Sequence, residues 1–385
     1  MQSLLRSIKK GIIWILIAVA TATVLIFSTS LIPNSLIRNN VETSLQKIPE
    51  GVTEPMFLYD RRSSIRDCVS ERIMLKTAIN NDSMNSFQSI MDANDYARYW
   101  HGYLVFLRPL LIIFDIEGIY LINQIIFYTL LFIIILEIVK QRNEYYGVGF
   151  LLSVIPAYIF VVPLCMEYYG VFLIAFLTTV LCLKCTKINY SFLFFAAGCL
   201  SSYADLLSCP LVSLIIPMTF LLLKYEKAFS LKKQIKSILS CSISWGVGYG
   251  VLWASKWLIG SVVLQRNILL DAIDQVAVRA SDSSITRITA IIAAIEPYFN
   301  FNNLLIICLV AIELLSIIIL VTNKNYKFIW KVCVQCIPVA WYFFAVNHSY
   351  IHNFMTYRNV IIIAYLAFII IYEAVLSLKK ENSVG

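Results

Sequence analysis

Charge is scarce in this chain. Only 14% of its 385 residues are Asp, Glu, Lys or Arg while 59% are apolar, a balance that excludes a water-soluble globule, whose apolar share is nearer half. Histidine is scarcer, with three residues, and no HExxH pattern or fixed acidic neighbour accompanies them, so no metal is assigned and a divalent ion or other cofactor is not supported. No disulfide framework is evident among the ten cysteines: Cys182-x-x-Cys185 and Cys333-x-x-Cys336 have zinc-like spacing but fall at helix ends without histidine, and read as small apolar membrane residues. Internal repeats, low-complexity tracts and a convincing cleavage site after the first apolar stretch are also missing. That stretch is expected to be a retained signal-anchor helix.

What is present is long apolar sequence. A hydrocarbon core about 30 Å thick needs roughly 20 apolar residues per helix. Ten stretches approach that length, at about 9–32, 118–139, 147–164, 168–184, 189–206, 208–224, 238–259, 302–322, 329–347 and 359–378. The expectation is an all-α polytopic membrane protein, one transmembrane domain over 1–385, with about ten transmembrane helices and both termini cytoplasmic. Two polar segments, 33–117 and 260–301, fall on the extracytoplasmic side, and the first should carry amphipathic interfacial helices. In it, YLVFLRPLLIIF (103–114) is too short to span and contains Pro109, which would break a continuous helix.

The basic residues divide in kind across this topology. With the N-terminus inside, fifteen Lys and two Arg lie on the cytoplasmic side, against three Lys and eleven Arg outside. Lysine follows the positive-inside rule. Arginine's planar fork grips phosphate or carboxylate at two points, so its outward bias points to an anionic ligand there. Arg98, Arg108 and Arg358, set in aromatic sequence, are the strongest candidates.

Two segments concentrate the chemistry. NDYARYWHGYLVFLRPLL (94–111) holds Asp95, Arg98, Tyr99, Trp100, His101 and Arg108; NHSYIHNFMTYRN (347–359) holds His348, His352, Tyr357 and Arg358. Ionisable groups at membrane depth usually serve a site, so the two segments are expected to converge at one surface. His348 and His352, four apart, would share a helix face and suit hydrogen bonding to phosphate or sugar hydroxyls. Outward acidic residues are Asp60, Asp67, Glu71, Asp92, Asp95, Glu167 and Asp205. Asp67 and Glu71, one turn apart, could both point into a shared cleft.

An outward loop directly after the first helix, acidic residues within it, an amphipathic re-entry and many further spans together resemble the GT-C superfamily of membrane glycosyltransferases. DYARYWHGYLVFLRPLL and HSYIHNFMTYRN also resemble segments of bacterial membrane proteins associated with that group. The resemblance implies a polyprenyl-phosphate-linked sugar donor, an envelope glycan or lipid acceptor, and a bacterial cytoplasmic membrane location with the site facing outward. It gives the base role to Asp67, Glu71 or Asp95, with His101 as an alternative. Arg98, Arg108 and Arg358 would hold the donor phosphate, with Tyr99, Trp100, Tyr357, His348 and His352 at the substrate. The chain lacks an adjacent Asp-Asp or Asp-Glu pair in this loop, a departure that leaves the base open. Competing expectations are a lipid or polysaccharide flippase or transporter, whose inverted repeats are not found, and an envelope-glycan polymerase or acyltransferase, which would depend on His101 or His348. No nucleic-acid partner is expected.

Overall fold

The computed structural model describes residues 2–57, 60–280 and 284–381, with the side chains at 2–8, 60–62 and 380–381 outside that description. It is built almost wholly of helix. In the first third of the chain, α1 (Gln2–Ser30) leads to α2 (Asn34–Lys47), a hairpin of β1 (Thr53–Phe57) and β2 (Asp60–Asp67), α3 (Cys68–Thr77), α4 (Ser86–Asp92) and α5 (Leu104–Leu110). Then come α6 (Ile116–Gln141), α7 (Glu144–Val154), a 3-10 turn (Ile159–Leu164), α8 (Met166–Lys184), α9 (Tyr190–Ala204), α10 (Val212–Lys224) and α11 (Leu231–Leu264). The remainder is α12 (Ile268–Ala280), α13 (Arg287–Ile295), α14 (Asn303–Thr322), α15 (Phe328–Phe344), the short α16 (Val346–Ile351) and α17 (Asn353–Thr356), and α18 (Val360–Glu381).

Among the described residues, six helical stretches are long and apolar enough to cross a membrane: Lys9–Ser30, Ile116–Gln141, Met166–Lys184, Leu231–Leu264, Asn303–Thr322 and Asn353–Lys379. Three shorter apolar helices, α9, α10 and α15, accompany them. The stretch at 147–164 is not one helix. Its backbone breaks around Pro156, and Tyr158 takes a left-handed φ of 48° before the 3-10 turn. The protein is therefore a membrane-embedded helical assembly.

The antiparallel hairpin departs from an all-α expectation. Thr53 pairs with Asp67 and Pro55 with Ile65, and an irregularity between Pro55 and Phe57 follows from the missing proline N–H. Its alternating small and charged residues carry no long apolar signal, so a strand there is easy to miss. The hairpin matters because β2 ends at Asp67, whose carboxylate accepts from the backbone N–H of Ser70 at 2.9 Å and caps α3.

Packing is tightest between α9 and α11. A Cβ on Gly198 would sit 2.1 Å from the Trp245 carbonyl oxygen, and one on Gly248 2.2 Å from that of Phe195, so these backbones touch. Helix α10 is sheathed by its neighbours: every residue from Val212 to Leu223 is buried. At the opposite end from the hairpin, four charged side chains close a dry junction. Glu226 accepts from Arg142, Lys331 and the Trp330 indole, and Lys331 also reaches Glu373 at 3.1 Å. Lys331 is fully buried there.

Candidate functional site

The segments 94–111 and 347–359 do meet. Tyr96 of the first and His348, His352 and Met355 of the second line one cavity of about 80 Å³. Asp67 and Ser70 from the start of α3, Glu167 from the first turn of α8, and Arg279 from the end of α12 complete its polar wall. Ile73, Leu206 and Leu207 supply the apolar part.

Local structure explains how each group arrives. Asp67 is held by Ser70, whose Oγ donates to Oδ2 at 3.1 Å while its N–H serves Oδ1. Glu71 is placed differently. It is fully buried, with one oxygen accepting from Tyr120 Oη at 2.5 Å and the other from the backbone N–H groups of Met166 and Glu167 at 2.5 and 3.3 Å. Glu71 thus pins the N-terminus of α8, and with it Glu167, beside the cavity. Burial pushes its carboxyl up to about 6, against the pull of Tyr120 and Arg66. Glu167 is 5% exposed and its Oε2 has no hydrogen-bond partner, with Ser70 alongside. A carboxylate in the first turn of a helix also meets the positive end of its dipole.

His348 and His352 stack with ring centroids 4.9 Å apart. Neither ring nitrogen of His348 reaches good hydrogen-bond geometry, although the Leu207 backbone lies beside it. Burial, together with His352 and Arg279, pushes His348 down to about 3; burial and Arg279 lower His352 as well. Both imidazoles are therefore neutral near pH 7. Arg279 reaches Gln275 on its own helix and forms no ion pair among the described residues. Asn347 ties α16 to α12 by donating to the Val278 carbonyl at 2.8 Å, which fixes Arg279 over the histidines.

Beneath the cavity, Asp205 accepts from the Ser208 N–H at 3.0 Å, and Leu207 in that turn holds φ 71°. A left-handed leucine is costly and persists only where its surroundings over-determine it. Asp67, Asp205 and Glu71 each lie close enough to Glu167 to act on it electrostatically.

The other residues singled out from sequence sit elsewhere. Arg98 crosses the Tyr96 ring at 4.4 Å and pairs with Asp271 at 3.3 Å. Arg108 is fully buried, giving its guanidinium to the carbonyls of Ala78 and Ile32 and to Asn80 at 3.2 Å. Arg358, also fully buried, donates to the Phe354 carbonyl at 2.8 Å and stacks on Tyr168 and Tyr357 at 4.2 and 4.9 Å. None of these three guanidinium groups lines the cavity. Asp95 is mostly exposed and pairs with Arg266 at 2.9 Å. His101 engages both ring nitrogens, with Tyr103 Oη at 3.0 Å and the Tyr96 carbonyl at 2.9 Å. Tyr99 is sandwiched between Tyr96 and Trp253, Trp100 donates to the Leu252 carbonyl at 2.6 Å, and Tyr357 Oη lies within 3.0 Å of the Ser63 and Ala157 carbonyls.

Glu167 and Arg279 reach the cavity without having been chosen as site residues. Glu167 carried a usable signal, an acidic residue opening an apolar run. Arg279 carried only the general signal of an outward arginine, because it is the fold-back of α12 onto α16 that brings it near. Among the described residues no group of three or more His, Cys, Asp or Glu is placed to hold a metal ion. No family model, curated protein or solved structure matches the chain.

Proposed function

We propose that this cavity transfers a sugar from a polyprenyl-phosphate-linked donor to an acceptor at the outer face of a bacterial cytoplasmic membrane, in the manner of a GT-C glycosyltransferase. The observation that carries the reading is the meeting of two carboxylates, a guanidinium and two neutral imidazoles, drawn from four distant segments, in one pocket at a membrane-helix end. The reaction breaks the bond between the anomeric carbon and the phosphate oxygen and forms one to an acceptor hydroxyl. The acceptor proton passes to Asp67 or Glu167, and Arg279 offsets the negative charge left on the phosphate. His348 and His352, both neutral, serve as hydrogen-bond partners.

A ten-span topology with cytoplasmic termini is part of the proposal. Its support is that lysines gather where α6, α8, α10, α14 and α18 end and where α11 and α15 begin, while the cavity takes residues from the other end of α8 and from α16, which follows the other end of α15. The prenyl tail would lie along the helices between 147 and 224.

Asp67→Asn, Glu167→Gln and Arg279→Gln are the test, in membranes supplied with labelled polyprenyl-linked sugar. Loss of the acting base should lower transfer by about 10²- to 10⁴-fold, and loss of Arg279 by a similar order. Wild-type transfer in all three variants excludes the site.

A further inference from the structure

A second, larger cavity, of about 560 Å³, adjoins the first and shares two of its walls, Ile73 and Tyr96. Helix α3 is the common rail. The cap residue Asp67, with Ser70 and Ile73, faces the inner pocket, and Ile73 and Lys76 face the outer cavity, so Ser70, Ile73 and Lys76 form a helical stripe. Six rises of about 1.5 Å make that stripe roughly 9 Å long.

The lining of the outer cavity decides what fits it. Asn80 is committed to structure: its amide donates to the Ser30 carbonyl at 3.0 Å and its oxygen accepts from Arg108 at 3.2 Å. The groups left to a ligand are the exposed Lys76, which forms no ion pair among the described residues, the exposed Asn94 amide, and the loosely paired Arg38 and Asp82, 3.6 Å apart. These donors and acceptors sit beside an apolar strip of Leu45, Ile73 and Ile79. Scattered hydroxyl-binding groups next to small apolar surface suit sugar rings, which are polar at the edge and C–H-rich on the face. They do not suit a prenyl chain, which needs an unbroken apolar wall.

We infer that the outer cavity is an acceptor vestibule for a hydroxyl-rich glycan, which lies along α3 with its reacting hydroxyl delivered past Tyr96 to Asp67. The acceptor is thus a glycan segment and not a lipid. This rests on the glycosyl-transfer reading for what happens at Asp67, but not for the binding itself.

Filling the vestibule tests the inference. Lys76→Trp and Asp82→Trp replace exposed side chains in the cavity wall, and Glu42→Phe adds bulk at an exposed position outside it; retained thermal unfolding confirms that each folds. In membranes given labelled polyprenyl-linked sugar, label appears either in glycan or, through attack by water, as free sugar. The ratio of glycan to free label should fall tenfold or more in each Trp variant and stay within about threefold of wild type in Glu42→Phe. An unchanged ratio in both Trp variants overturns the vestibule. If wild-type protein moves no label at all, the transfer reading fails, and the vestibule is then judged by saturation-transfer NMR with maltotetraose on purified protein. Signal lost in Lys76→Trp upholds it; signal equal in wild type and Lys76→Trp, or absent from both, refutes it.

Discussion

At the residue scale, Glu71 shows how one buried carboxyl sets the geometry of another. Its folded-state value of about 6 lies above the usual 4.5, so ionisation is harder in the folded protein than in the unfolded chain. Below about pH 4.5 both states are protonated and burial is harmless; as pH rises toward 6 the unfolded chain ionises first and stability falls by roughly 2 kcal/mol. Glu71→Gln removes this dependence. The difference in unfolding temperature between wild type and Glu71→Gln should therefore move in the variant's favour from pH 4.5 to 6 and level off above; a pH-independent difference would contradict it. Helical spacing placed Asp67 and Glu71 on one face, yet Asp67 is a cap with extended backbone, so the spacing rule does not hold across it. The aromatic surroundings of Arg98 and Arg358 were equally legible and equally ambiguous. Those rings are the cations' own stacking partners, a contact that needs no ligand.

At the scale of elements, apolar run length located the six long helices, because hydrocarbon demands internal satisfaction of every backbone group, while the run at 147–164 proved to be broken. What it could not give was which helices touch. The α9–α11 contact hangs on Gly198 and Gly248, and nothing in the sequence distinguishes these from Gly246 or Gly250, which have open space around them. Gly198→Ala and Gly248→Ala each drive a methyl into a backbone carbonyl that cannot swing aside. Each should cost about 1–3 kcal/mol, read as a lower unfolding temperature in detergent, while Gly246→Ala should be neutral or slightly stabilising through helix propensity. Equal behaviour of the three variants would mean that the helices are not in backbone contact. The short hairpin and the turn at 93–95, where three consecutive non-glycine residues take left-handed φ, were illegible because tertiary contacts such as Arg266 with Asp92 and Asp95 hold them.

At the scale of the whole molecule, chemistry gathers at two ends with different character. The cavity end leaves polar atoms without partners, whereas the Arg142–Glu226–Lys331–Glu373 junction uses its charges on one another. Lys331 and Arg142 outweigh the burial that would otherwise raise Glu226, so its carboxyl is held below the usual range. Breaking such a buried network leaves uncompensated charge: Lys331→Met should destabilise the fold by about 3–5 kcal/mol, with Glu226→Gln added in the same chain recovering part of the loss. No recovery in the double variant would show that the ions are not coupled. The wrapped position of α10 bears on how the chain is assembled. Thirteen residues cannot hold themselves across a bilayer, so α10 needs its protein neighbours as its solvent. Those neighbours include α11, α15 and α18, made after it. During synthesis α10 meets α8 and α9 at once but is fully covered only when the last helix arrives, and a chain cut short before Val360 would leave part of its apolar surface for quality-control proteases to find.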